Sequence, residues 1–224
     1  MRMRRKKNRD VRFQNCISYA VTEPELNKGK WNECFKNDNP VHVEIGCGKG
    51  GFVTECAKRN PDVNFVAIEK CLDVLILAME KVQTEELKNV KFISGDATTL
   101  TDMFEENEVD RIYLNFSDPW KKSKQAKRRL TYRSFLKLYE TVLKKDGEVW
   151  FKTDNRPLFD FSLEEFNEYG ASVSEITYDL HNSEYDKNNI RTEYENNFSA
   201  QGFAINRCVV RFNGWKLVNV VDNC

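Results

Sequence analysis

Short apolar runs of strand length, separated by amphipathic stretches of helix length, constrain this chain more than any other feature. The first five runs are Val41 to Ile45, Asn64 to Glu69, Val90 to Ser94, Arg111 to Phe116 and Glu148 to Lys152. Between them, Phe52 to Arg59 predicts a helix that stops before Pro61. Leu72 to Leu87 predicts a longer one, with Leu72, Leu75, Ile76, Met79 and Val82 on one face. Tyr132 to Lys145 carries Phe135, Leu138, Tyr139 and Val142 at the same spacing, with Gly147 as its stop. Strands separated in this way form parallel βαβ units with right-handed crossovers. The predicted fold is therefore α/β, a doubly wound, mostly parallel sheet with helices on both faces. The last third reads differently. Pro157 to Tyr169 is helical, while Val173 to Leu180 and Phe203 to Phe212 are strand-like and predicted to pair as an antiparallel edge. That brings the sheet to seven strands.

At 224 residues the chain has the length of one domain, and 40% hydrophobic residues supply its core. We read residues 1–40 as a basic segment and polar lead-in, 41–212 as the domain and 213–224 as a tail. Thirty-five Lys and Arg balance 35 Asp and Glu, but the cations crowd the N-terminus and one internal segment. A neutral total thus conceals a basic face. No apolar run reaches the length that crosses a bilayer. The opening MRMRRKKNRD is cationic, but no apolar stretch follows it as in a signal peptide. The seven cysteines are scattered and form no CxxC pair, which argues against a zinc site and a disulfide framework. A reduced cytosol is the expected setting.

In open α/β sheets, ligands bind outside the carboxyl ends of the strands. The residues there are acidic: Glu44, Glu69, Asp96, Asp118 and Asp154. After the first strand comes a loop with Gly46, Gly48 and Gly50, where glycines permit a tight turn and close approach of a ligand. Read as GxGxxG, the loop suits a dinucleotide, with Glu69 placed for a ribose diol. Read as ExGxGxG, it suits S-adenosylmethionine. Charge favours the second, because a pyrophosphate is repelled by nearby acids whereas a sulfonium and an ammonium are attracted. Asp96 and the Ala97 amide then meet the adenine amino group and ring nitrogen. Following the fourth strand, Asn115-Phe116-Ser117-Asp118-Pro119-Trp120 runs into KKSKQAKRR, from Lys121 to Arg129. A basic run beside an aromatic residue and a reactive centre suits a phosphate backbone with a nearby base. The N-terminal cluster Arg2, Arg4, Arg5, Lys6, Lys7 and Arg9 offers a second phosphate clamp.

These segments resemble the bacterial tRNA (guanine-N7-)-methyltransferase family, of the TrmB type. The resemblance spans nearly the whole chain. It rests on EIGCGKGGF (Glu44 to Phe52), GDAT (Gly95 to Thr98), YLNFSDPWKK (Tyr113 to Lys122), KRRLTY (Lys127 to Tyr132), FKTDN (Phe151 to Asn155) and TEYE (Thr192 to Glu195). It implies a Rossmann-like class I methyltransferase fold and methylation of the variable-loop guanine of tRNA by S-adenosylmethionine. It further implies that Glu44, Glu69, Asp96 and Asp118 contact the cofactor, with Asp118 also catalytic. Lys122, Asp154 and the stretch Thr192, Glu193, Tyr194 and Glu195 match substrate positions. Lys124, Gln125, Ala126, Lys127, Arg128 and Arg129 match an RNA-contacting segment. Members of the family are monomers or homodimers. The loop after Trp120 departs from the family pattern in being richer in lysine.

Guanine N7 carries an in-plane lone pair and no proton, so its attack on a sulfonium methyl needs positioning and electrostatics rather than a general base. Asp118 is placed to stabilise the cationic product. Asp154, Glu193 and Glu195 are candidates to accept from the guanine N1–H and N2–H₂ donors. Trp120 or Tyr194 is a candidate to stack on the base. Of the two histidines, His42 reads as structural, while His181 follows a strand end. Three alternatives stand at this point: a methyltransferase acting on another RNA base, a nicotinamide-dependent oxidoreductase, and a non-catalytic RNA-binding protein on the same fold.

Overall fold

Val41–Ile45 (β1), Asn64–Glu69 (β2) and Val90–Ser94 (β3) form strands at the residues their apolar runs predict. β1 and β2 are buried along most of their length, which is why their sequences run apolar rather than alternating. The computed structural model describes residues 8–212. The cations at Arg2, Arg4, Arg5, Lys6 and Lys7 and the tail beyond Gly214 lie outside the described residues. The other strands are Val109–Asn115 (β4), Leu143–Thr153 (β5), Ser172–Thr177 (β6) and Asn206–Arg211 (β7). All seven join one sheet in the order β3-β2-β1-β4-β5-β7-β6. The first five strands pair in parallel, and β7 runs antiparallel to both β5 and β6. The expected antiparallel pairing of the last two strands is present, with β7 inserted so that β6 forms the edge.

The helices are Arg9–Asn15 (α1), Trp31–Phe35 (α2), Gly51–Arg59 (α3), Leu72–Thr84 (α4), Leu100–Met103 (α5), Arg133–Val142 (α6), Arg156–Tyr169 (α7) and Glu193–Ser199 (α8). Successive strand residues point to opposite faces, so the sheet carries two cores. In β4, Ile112 and Leu114 pack with Leu136, Tyr139, Phe159 and Phe166 of α6 and α7. Tyr113 between them packs with Phe52, Leu75 and Met79 of α3 and α4.

Several expectations need correcting. The helix predicted over Tyr132 to Lys145 ends at Val142, and Leu143 already pairs with Val109. Leu143 is apolar and continues the helical spacing, so periodicity hides the change. Gly147 then lies inside β5, where the ladder shifts register between Val109 and Arg111. α4 stops at Thr84, just before Glu86 adopts a left-handed φ of 53°. β6 ends at Thr177 and β7 begins at Asn206, both shorter than predicted. The polar lead-in is part of the fold. Trp31 is only 1% exposed, and its indole N–H donates to the Met103 carbonyl at 3.0 Å. The Val21 amide bonds the Phe92 carbonyl at 2.8 Å, tying the lead-in to β3.

Candidate active site

The glycine loop leaves β1 and is pinned to the end of β2. The Gly46 and Cys47 amides donate to the Ile68 carbonyl at 2.8 and 3.1 Å. The Gly48 amide donates to Glu69 Oε2 at 3.2 Å, and Glu69 Oε1 accepts from the Cys71 amide at 2.9 Å. Gly46, Gly48 and Gly50 all have positive φ. Gly50 has a further constraint, because a Cβ there would sit 2.6 Å from the Ala78 Cβ. Its absence lets α3 approach α4, so Gly50 shapes the loop from behind.

Glu44, near the end of β1, is 3% exposed. Its Oε1 accepts from Asn115 Nδ2 at 3.0 Å, while Oε2 is buried with no partner. Burial pushes this carboxyl up to about 7, against the opposing effect of the Asn115 bond. Glu44 lines a cavity of about 340 Å³ together with Gly46, Gly48, Phe116, Glu193 and Tyr194. A second cavity, of about 600 Å³, holds Glu69, Asp96, Ala97, Ser117, Asp118 and Trp120. Gly46, Asn115 and Phe116 border both, so the two adjoin across these residues. Ser117 Oγ, in the second cavity, is also buried without a partner. A ligand bearing an N–H donor at one end and further polar groups at the other would satisfy both orphans. Asn115 and Ser117 were not singled out from sequence. Their signal is position alone, at the carboxyl end of β4.

Asp96 bonds the Thr98 amide at 2.9 Å and pairs with Lys70 at 2.5 Å. Burial pulls its carboxyl up, but Lys70 and Thr98 outweigh that and leave it below the usual carboxylate range. Asp118 is exposed on the cavity rim. The loop carrying it is strained on both sides: Phe116 and Trp120 have φ of 52° and 42°, in the left-handed region that bulky residues avoid. Arg129 holds this loop. Its Nε donates to the Pro119 carbonyl at 3.0 Å, another nitrogen donates to the Trp120 carbonyl at 3.2 Å, and the guanidinium packs 4.1 Å from the Phe161 ring centre.

The basic segment forms a short turn over Ser123–Arg128. Lys124, Lys127 and Arg128 are exposed, and Gln125 and Ala126 are half-buried. Lys127 and Arg128 line the same cavity as Asp118, and Arg128 lies 4.9 Å over the Trp120 ring. Lys122 is exposed and borders neither cavity.

Thr192, Glu193 and Tyr194 border the glycine-loop cavity. Tyr194 packs 5.0 Å from Phe116, and burial together with the nearby Asp154 carboxylate pushes its phenol up. Glu193 pairs with Lys81 at 2.6 Å, and that bond holds its carboxyl down. Glu195 stands apart, fully buried, forming a capping box with Thr192 at the start of α8. Its Oε1 accepts from His181 and Asn189, and its Oε2 accepts from Lys152 and the Thr192 amide. His181 is thus bound to Glu195, and His42 to Tyr113 in β1–β4 packing.

A family model described as "Putative methyltransferase" matches residues 38–208. A tRNA (guanine-N(7)-)-methyltransferase of Geobacillus sp. (strain WCH70) is 48% identical over 212 residues, covering 95% of this chain and 96% of its own. One of Bacillus subtilis (strain 168) is 50% identical, covering 95% of this chain and 99% of its own. Among solved structures, an antibiotic-related methyltransferase aligns with a TM-score of 0.60 at 15% identity, over 82% of this chain and 92% of its own. A 30S ribosomal A1408 methyltransferase from an uncultured bacterium aligns at 0.55 and 15% identity, with the same coverage. These structural likenesses concern the fold.

Proposed function

The chain belongs to the tRNA (guanine-N7-)-methyltransferase family, and we propose that it methylates N7 of the variable-loop guanine of tRNA with S-adenosylmethionine as donor. One observation carries this reading. Lys127 and Arg128 open onto the same cavity as Glu69, Asp96 and Asp118. Cations suited to a phosphate backbone and acids suited to a cationic donor therefore share one rim.

The orphaned Glu44 Oε2 beside the glycine loop fits the donor's ammonium, and Glu69, Asp96 and the Ala97 amide fit its ribose and adenine. When bound, S-adenosylmethionine supplies an electrophilic methyl. Guanine N7 needs no proton removed, so the chain's work is to orient the base and to stabilise the charge it gains. Asp118 does the second, from a loop held by Arg129. Tyr194 stacks on the base, and Asp154 and Glu193 accept from its N1–H and N2–H₂ edge, which adenine cannot supply. Glu195 acts one step removed, by fixing α8. The setting that goes with this substrate is the cytosol. Among the described residues no helix is long and apolar enough to cross a membrane.

Incubation with methyl-labelled donor and bulk tRNA, followed by nucleoside analysis, tests the reading. Label in 7-methylguanosine is expected. Label in another nucleoside, or none, overturns it.

A further inference from the structure

A third cavity, of about 370 Å³, lies between one face of β1, β4, β5 and β7 and the segment from Tyr185 to Ile190. It shares Phe52 and Asn115 with the glycine-loop cavity but has the opposite charge. Arg59, Arg111, Lys152, Lys187 and Arg207 line it, and among the described residues no carboxylate does. Four of these cations pair with Glu55, Glu148, Glu195 and Glu175, all of which stand outside the lining. The lining itself thus carries cations only, with Lys187 as the one whose ion pair is not among these four.

The cations are also held in place. Arg111 and Arg207 lie 4.2 and 4.7 Å from the Trp150 ring centre, each in cation–π contact with the same indole. Arg111 Nε is buried and bonds to nothing. Lys152 has its donors committed to Asn189, Ile190 and Glu195, so it contributes charge rather than a free bond. Lys187 is exposed at the lip. His42, on the inner wall, is kept neutral, its pKa lowered to about 4 by burial and by Arg111.

We propose that this cavity is a binding site for a phosphate-bearing anion of up to mononucleotide size. Its donors come from α3, β4, β7 and the Tyr185 to Ile190 segment, converging from separate directions. Guanidinium groups bind carboxylate and phosphate alike, but a tetrahedral phosphate presents oxygens out of a single plane and so meets donors from several directions at once. The volume falls in the ordinary range of small-ligand pockets, about 300–1,000 Å³. The phosphate comes either from a free anion such as a nucleoside monophosphate or from an RNA backbone. The site adjoins the glycine-loop cavity through Phe52 and Asn115, but the proposal does not depend on the methyl-transfer reading.

The test uses the full chain titrated with inorganic phosphate and with guanosine 5′-monophosphate, against chloride at equal ionic strength and against guanosine. Thermal unfolding and the imidazole resonance of His42, one of only two histidines, are followed together. Phosphate and the monophosphate are expected to raise the melting temperature and the His42 pKa, and guanosine to do neither. The double variant Lys187→Glu/Arg59→Ser alters two side chains at the open side of the cavity and should abolish the response, while binding of S-adenosylmethionine alone, at cavities that neither side chain lines, stays unchanged. A phosphate effect no larger than that of chloride overturns the proposal. So does a full response in the double variant, or one seen only as thermal stabilisation with His42 unmoved. Displacement of bound phosphate by tRNA identifies the RNA backbone as the source, and retention identifies a free anion.

Discussion

Lys152 Nζ lies 2.6 Å from Glu195 Oε2, with the lysine side chain 7% and the glutamate 0% exposed. The pair joins β5 to the start of α8, the helix that brings Glu193 and Tyr194 to the glycine loop. Removing one member of a buried pair leaves the other uncompensated, at a cost of about 3–5 kcal/mol. Lys152→Met is therefore expected to lower unfolding free energy by that order in a denaturant titration. A loss comparable to that of a surface lysine contradicts the latch.

If Glu44 holds the donor's ammonium as proposed, donor binding carries a pH dependence. Burial places its carboxyl at about 7, so it is protonated in the free protein below that pH. Only the carboxylate attracts the donor's ammonium. Affinity for S-adenosylmethionine should then fall as pH drops through 7, approaching about tenfold per pH unit well below it. Calorimetric titration across this range checks the slope, and Glu44→Gln should remove it. A flat profile in the parent protein removes Glu44 from the ammonium site.

Arg129 and its neighbours should separate in their effects. Charge reversal at Lys127 and Arg128, which are exposed, should weaken tRNA binding and flatten its dependence on salt. Arg129 is spent on the Pro119 and Trp120 carbonyls. Arg129→Ala should instead lower the single-turnover rate by displacing the Asp118 loop, with the salt slope nearly unchanged. An equal change of slope in both variants places Arg129 on the RNA.

The glycines of the loop differ in kind. Gly46→Ala introduces only a left-handed alanine at φ 80°, because no atom beyond its own chain neighbours lies within 4 Å of its added Cβ, at a cost of about 1–2 kcal/mol. Gly50→Ala adds an overlap with Ala78 and should cost about 1–3 kcal/mol more. Thermal unfolding of the two variants side by side gives the order. Equal losses exclude close packing of α3 on α4 as the reason for Gly50.

How far the structure was legible from sequence varied with how local the cause was. β1 to β3 show their ends because the strands are apolar and stop at polar or glycine residues. The end of α6 does not show, since Leu143 satisfies the helical period while its backbone has already joined β5. Trp31 in a polar lead-in gave no periodic signal, because one buried indole anchors the segment. Glu69, Asp96 and Asp118 line one cavity, and their placement was readable because they fall at strand ends; Glu44 lines the adjoining cavity, and Asp154 borders neither. Glu195 was readable as part of a motif, but its burial was not, since its partner Lys152 is far away in sequence. A lysine between Phe151 and Thr153 in a central strand does signal a buried charge in need of a partner, without identifying it.

The central claim is that Asp118, on the strained loop beside the donor cavity, stabilises charge developing on guanine. It is tested most directly by the single-turnover rate of Asp118→Ala with bound tRNA and donor, alongside the tRNA affinity of the same variant. Loss of such a stabilising group should slow methyl transfer by about 10²–10³-fold, with tRNA binding retained. A rate close to that of the parent protein, with tRNA bound, contradicts the account.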